Sequence, residues 1–132
     1  MYLHIIFSDL HFWKFKIDDD TGHKYLINKM SSSNWIYGDK QFIISHGYII
    51  DTETKKYLGP NLEPGPGSLG LQTQCGSPSG TVVELHRENY AGKHKWELEK
   101  LKDGWMKIKC QKSGYLLELS ELGDKLTLHG NE

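Results

Sequence analysis

Three similar groups of short strand-like segments, with almost no stretch of helical period, constrain this chain more than any other feature. Aromatic and β-branched residues alternate or cluster in short runs, and Gly, Asp, Asn, Ser and Pro bound those runs. The pattern predicts strands over Tyr2 to Phe7, Phe12 to Asp18, His23 to Lys29, Asn34 to Gly38, Gln41 to His46, Tyr48 to Thr52 and Lys56 to Pro60. Further strands are predicted over Leu69 to Gln74, Thr81 to His86, Lys95 to Leu101, Trp105 to Gln111, Tyr115 to Ser120 and Lys125 to His129. Polar turns separate them, among them Asp20-Thr21-Gly22, Lys102-Asp103-Gly104, Lys112-Ser113-Gly114 and Leu122-Gly123-Asp124. Glu97 to Lys102 is the one helical competitor. It is short, Asp103-Gly104 closes it, and the alternation of Trp96 and Leu98 fits a strand.

The groups share a shape: an aromatic-led strand, a tight polar turn, and a strand with a Tyr-Leu pair. The first runs Phe12 to Ile17, Asp20-Thr21-Gly22, then His23 to Leu26. The second runs Gly47 to Asp51, Glu53-Thr54, then Lys55 to Leu58. The third runs Gly104 to Ile108, Lys112-Ser113-Gly114, then Tyr115 to Leu117. Each has another apolar strand before it and one more after it, which makes four strands repeated three times. Twelve strands within 132 residues is the arithmetic of a β-trefoil, six strands in a short closed barrel and three hairpins capping one end. Closure removes sheet edges, which keeps so small an all-β chain from pairing with other chains. A single domain over residues 1–132 follows, since a second would leave neither half a core. All four prolines lie in Gly59 to Gly67 and Cys75 to Gly80, which are predicted as loops projecting from the second unit.

Sixteen Lys plus Arg against 17 Asp plus Glu leave a formal net charge of −1, which argues against nucleic acid or an anionic membrane as partner. Arg87 is the only arginine, so bidentate phosphate or carboxylate clamps are nearly unavailable. Any ligand must be held by local hydrogen bonds and ring stacking, which suits a neutral sugar or a protein loop. Uncharged apolar stretches such as Gln41 to Ile50 are too short for a membrane helix, so no membrane insertion is expected. Met1 to Phe7 is apolar but carries His4 and lacks a basic leader region, so it is taken as structure. Cys75 and Cys110 show no CxxC spacing and no N-glycosylation sequon is present, which points to two free thiols in a cytoplasmic protein. Cys110, on a predicted strand, is expected to be a small core residue.

The best-patterned stretch is Thr81 to Asn131. It reads Val83-Glu84-Leu85-His86, a polar loop from Asn89 to Gly92, His94-Lys95-Trp96-Glu97-Leu98, Asp103-Gly104-Trp105-Met106-Lys107-Ile108, and Ser113-Gly114-Tyr115-Leu116-Leu117-Glu118-Leu119. This run resembles the ricin B-type lectin family, with His94 where the family has the Gln of a Gln-x-Trp motif. Phe42 and Trp13 stand nearest the Trp position in the other two units. The resemblance implies a sugar site built as a shallow dish from an acid, a platform ring and a polar neighbour. A carboxylate accepts hydroxyl hydrogen bonds while a ring face stacks on a sugar. Transferred onto this chain, the third unit supplies Glu118 as the acid, His129 as the platform and Asn131 as the neighbour. The second unit has His86 at the platform position but Gly59 or Pro60 in place of the acid. The first has Ile27 there, with Trp35 and Tyr37 as platform rings.

No catalytic constellation accompanies these residues. His4, His11, His23, His46, His86, His94 and His129 show no HxH or HExxH spacing, so neither a metal nor a cofactor is expected. Asp18-Asp19-Asp20 lacks the alternation of a calcium loop and is expected as a solvated turn. No nucleophile elbow, P-loop or dinucleotide fingerprint occurs. The chain is therefore expected to be no enzyme but a carbohydrate-binding module, lectin-like, with a sugar or glycoprotein as partner. Two alternatives remain open at this stage. A β-trefoil protease inhibitor would act through the stiff Pro-Gly loop 59–67, and a fascin-like trefoil would bind protein.

Overall fold

The computed structural model describes residues 11–17, 19–20, 22, 24–29, 40–61, 80–120 and 122–130. They form β1 (Phe12–Ile17), β2 (Lys24–Asn28), β3 (Gln41–Ser45), β4 (Tyr48–Asp51), β5 (Tyr57–Pro60), β6 (Val82–His86), β7 (Trp96–Lys100), β8 (Met106–Cys110), β9 (Leu116–Leu119) and β10 (Leu126–His129). One 3-10 turn, Lys102–Gly104, joins β7 to β8. The all-β class is as expected, and Glu97 to Lys100 lies in a strand. The strands predicted over Tyr2 to Phe7, Asn34 to Gly38 and Leu69 to Gln74 lie outside the described residues.

Every pairing is antiparallel, in the order β1-β2-β3-β4-β5-β6-β10-β9-β8-β7, and β1 also pairs with β8. The hydrogen bonding therefore runs in a ring through nine strands, with β7 attached to it as the hairpin partner of β8.

Three hairpins carry the same internal code. In β1–β2 Trp13 stands opposite Asn28, in β3–β4 Phe42 opposite Asp51, and in β7–β8 Trp96 opposite Cys110. Two positions further along, the facing pairs are Phe15 with Leu26, Ile44 with Ile49, and Leu98 with Ile108. Trp13, Phe42, Leu26, Ile49 and Ile108 are fully buried in one core. The strand equivalent to β4 and β8 is thus β2, whereas the sequence pattern had aligned β1 with them. That displacement by one strand arises because an apolar, aromatic-led run occurs on both arms of these hairpins, and period-2 alternation alone does not distinguish the arms.

Both tryptophans fasten their hairpins to another part of the ring. Trp13 Nε1 donates to the carbonyl of Leu117 at 3.1 Å, and Trp96 Nε1 donates to that of Leu58 at 2.9 Å. Leu58 and Leu117 are themselves buried and face Leu85 and Leu128 across their strand pairs. Phe42 fills the same place in the third hairpin, with no N–H to donate.

Turn chemistry explains the tight corners. His46 (φ 53°) and Gly47 (φ 86°) bridge the paired residues Ser45 and Tyr48, the two-residue turn that matches strand twist. After β8, Gly114 (φ 80°) donates its N–H to the Cys110 carbonyl; after β4, Lys55 (φ 64°) donates to the Asp51 carbonyl at 2.8 Å in the equivalent turn. A left-handed lysine is costly. The buried Asp51 carboxylate holds that turn, accepting from Thr54 Oγ1 at 2.6 Å, the Glu53 N–H at 3.2 Å and Lys40 Nζ at 3.3 Å.

Two expectations need correction. Gly59 and Pro60 fall both in the strand expected over Lys56 to Pro60 and in the loop expected from Gly59 to Gly67; the strand is what forms, both being buried in β5 opposite Glu84 and Val83, so the loop does not begin at Gly59. Pro60 is the last residue of that strand, where its missing N–H is tolerated. Cys110 is buried as expected but disulfide-bonded, not a free thiol. The chain's other cysteine, Cys75, lies outside the described residues.

Candidate functional site

Beside the buried aromatic that opens each of the three hairpins sits a polar residue two positions earlier: His11 before Trp13, Lys40 before Phe42, His94 before Trp96. Since successive strand residues alternate faces, a residue two places earlier shares the aromatic's face and projects where the neighbouring strand pair ends. At two of the three places that neighbour supplies a second histidine.

His11 meets the β9–β10 pair. Its ring stacks on that of His129, with centroids 4.6 Å apart and planes at 28°. Beside the stacked pair lies Glu118 of β9, one carboxylate oxygen 3.9 Å from His11 Nδ1 and the other 3.6 Å from His129 Nδ1. Thr127, opposite Glu118 in the register, donates its hydroxyl to the carboxylate at 3.4 Å. The side chains of His11 and Glu118 are 20% and 19% exposed and that of His129 is 38%, so the group opens to solvent on one side. Burial, then the neighbouring His129 and Lys107, holds the His11 pKa below its ordinary value. The ring is therefore neutral at pH 7. Its buried Nδ1 has no hydrogen-bond partner among the described residues.

His94 meets the β5–β6 pair in the same way. Its ring centroid is 4.6 Å from that of His86, and Tyr90 covers both, 5.0 Å from His94 and 6.0 Å from His86. Superposing the registers Leu58 with Leu85 and Leu117 with Leu128 makes His86 the counterpart of His129 and Gly59 the counterpart of Glu118. The acid is missing because there is no room for it: a Cβ on residue 59 would overlap the His94 ring. In its absence each imidazole donates to backbone, His94 Nε2 to the Pro60 carbonyl at 3.0 Å and His86 Nε2 to that of Gly59 at 3.1 Å. Burial, with a smaller contribution from His86, outweighs the favourable backbone contacts and lowers the His94 pKa to about 4.

The third place differs again. Lys40 pairs with Asp51 at 3.3 Å instead of with a histidine.

Of the residues expected to form the sugar site, Glu118 and His129 come together, and Asn131, Trp35 and Tyr37 lie outside the described residues. The Pro-Gly segment on which the inhibitor alternative depends is described only as far as Asn61. His11 was not among the expected site residues. The signal was present in the sequence, because His11-Phe12-Trp13 repeats the His-x-Trp of His94-Lys95-Trp96. No family model, curated protein or solved structure matches the chain. Among the described residues, no helix is long and apolar enough to cross a membrane.

Proposed function

We propose that this protein is a non-catalytic, lectin-like carbohydrate-binding module whose site is centred on Glu118, with His129 and His11 as flanking rings. The supporting observation is a carboxylate held at a solvent-opening spot beside two stacked imidazoles, with the Thr127 hydroxyl fixing one of its oxygens. A carboxylate accepts paired sugar hydroxyls, a neutral imidazole donates or accepts one more, and an exposed ring edge covers the apolar face of a pyranose. With one arginine in the chain, a neutral sugar suits these groups better than a phosphorylated one. The Gly59 place, closed by Tyr90 and lacking the acid, is a structural twin and binds nothing on this account. Asn131 is kept as the proposed polar neighbour of this site, and Trp35 and Tyr37 as proposed platform rings of the first unit; all three lie outside the described residues.

A β-trefoil with ricin B-like ancestry is the arrangement proposed around this site. Three hairpins with equivalent cores and ring-wise pairing support it. The cytoplasmic location expected from free thiols loses that support with Cys110 disulfide-bonded, and disulfides persist in oxidising compartments. A crystal soaked with simple hexoses tests the reading. A sugar with hydroxyls within hydrogen-bond reach of Glu118 supports it, and a sugar bound only elsewhere rejects it.

A further inference from the structure

We infer that His11, Glu118 and His129 form a binding site for a divalent transition-metal ion of the zinc class. The two histidines come from opposite ends of the chain and are joined only by the ring of strands, so no ligand spacing in the sequence announces them.

One donor atom from each of the three side chains lies within 4.8 Å of the others. Around a tetrahedral zinc, with bonds of about 2.0–2.2 Å, donors sit about 3.3 Å apart. The shortest imidazole-to-carboxylate separations, 3.9 Å from His11 to Oε2 and 3.6 Å from His129 to Oε1, reach the two oxygens of one carboxylate. With a single oxygen as donor the three atoms, within 4.8 Å of one another, must close by up to about 1.5 Å to reach that value. The donor set, two imidazoles and one carboxylate, suits zinc and its first-row neighbours better than calcium or magnesium, which prefer oxygen.

Two further observations favour the ion over a simple ion pair. His11 presents a buried Nδ1 that has no hydrogen-bond partner among the described residues, an atom whose desolvation a metal bond would offset. Thr127 donates to Glu118 Oε1 and so orients the carboxylate from behind, as outer partners of metal ligands do. Lys107 opposes binding by repulsion, and the single negative charge of Glu118 offsets it. With three protein ligands and an opening to solvent, the fourth position is left to water or to a hydroxyl of a ligand.

The histidine twin supplies an internal contrast. His86 and His94 are spaced like His129 and His11, and His94 Nδ1 likewise lacks a hydrogen-bond partner among the described residues, but Gly59 replaces the carboxylate and both Nε2 atoms are committed to carbonyls. That place is expected to take no ion.

The inference stands on these distances and not on the glycan reading, although the two share Glu118. Isothermal titration of the intact chain with ZnCl2 in a sugar-free buffer at pH 7.5 tests it. One equivalent bound by the wild type, weakened about 10–100-fold or more in His11→Ala and in Glu118→Gln, is the expected result. No saturable uptake by the wild type, or uptake unchanged in both variants, overturns the inference. A second measurement needs no variant: imidazole nitrogen NMR spectra recorded with Zn²⁺ should shift His11 and His129 and leave His86 and His94 in place. Shifts confined to His86 and His94 would overturn it. Because no sugar is present, either result is independent of whether the protein binds glycans.

Discussion

His11 stacks on His129 with ring centroids 4.6 Å apart, the separation at which His94 meets His86 with its plane more steeply tilted, and the two pairs differ in what lies beside them: Glu118 at one, Gly59 at the other. One scaffold thus builds an open, charged site and a closed, neutral one from the same His-x-Trp element. The exchange of one residue on the neighbouring strand decides which is which.

The closed site makes stability depend on pH. His94 titrates at about 4 in the folded chain against 6.5 when unfolded, so the unfolded state takes up the proton first as pH falls. Its contribution is complete above pH 6.5, declines between 6.5 and about 4, and is flat below. The loss across that window is on the order of 3 kcal/mol. His86 and His11, whose pKa values are also lowered, first of all by burial, act in the same direction. Urea unfolding at pH 7 and pH 4.5 should show the drop, and His94→Gln, which keeps a donor for the Pro60 carbonyl, should flatten it. Equal stability at the two pH values would contradict the burial of a neutral His94.

Gly59 is needed for closeness and not for backbone freedom. A methyl group there meets the His94 ring, which is wedged against Pro60 and His86. Gly59→Ala should lose about 1–3 kcal/mol in thermal or urea unfolding. A variant as stable as the wild type would mean that the ring does not lie on the strand as described.

Asp51 should act as the clasp of the β4–β5 turn, against the left-handed Lys55. Burial alone would raise its pKa, but the Thr54 hydroxyl, the Glu53 N–H and Lys40 outweigh burial and lower it. Its contribution is present above the unfolded value of 3.8 and is lost as pH falls below that. Removing a carboxylate with three such partners in Asp51→Ala should cost about 2 kcal/mol or more. A loss under half of that in urea unfolding at pH 7 would contradict this role.

With Cys110 disulfide-bonded, Ellman's titration of the unreduced protein in 6 M guanidinium should find no reactive thiol. Two thiols per chain would restore the free-cysteine reading.

Strand positions were legible because their signal is local. Alternation within Gln41 to Ser45 or Trp96 to Lys100 places side chains on two faces whatever the rest of the chain does. The phase of the repeat was harder, since Phe12 to Ile17 looks like either arm of its hairpin until Trp13 is seen opposite Asn28. Glu118 and His129 were chosen as one pair through the resemblance to the ricin B-type lectins, and a single hairpin does carry both. His11 joins them through contacts between distant parts of the chain, the pairing of β1 with β8 and the Trp13 bond to the Leu117 carbonyl, of which the His-x-Trp echo in the sequence tells nothing. The disulfide state of Cys110 was equally nonlocal. Composition bears on such residues only through averages, and here the averages pointed the other way.

The account turns on Glu118 as the acceptor for a neutral sugar. Glycan-array binding of the wild type beside Glu118→Ala, with His86→Ala from the closed twin as the comparison, tests that most directly. Selective binding by the wild type, kept in His86→Ala and abolished in Glu118→Ala, is the expected result. No glycan bound by the wild type, or the same glycans bound by Glu118→Ala, would contradict it.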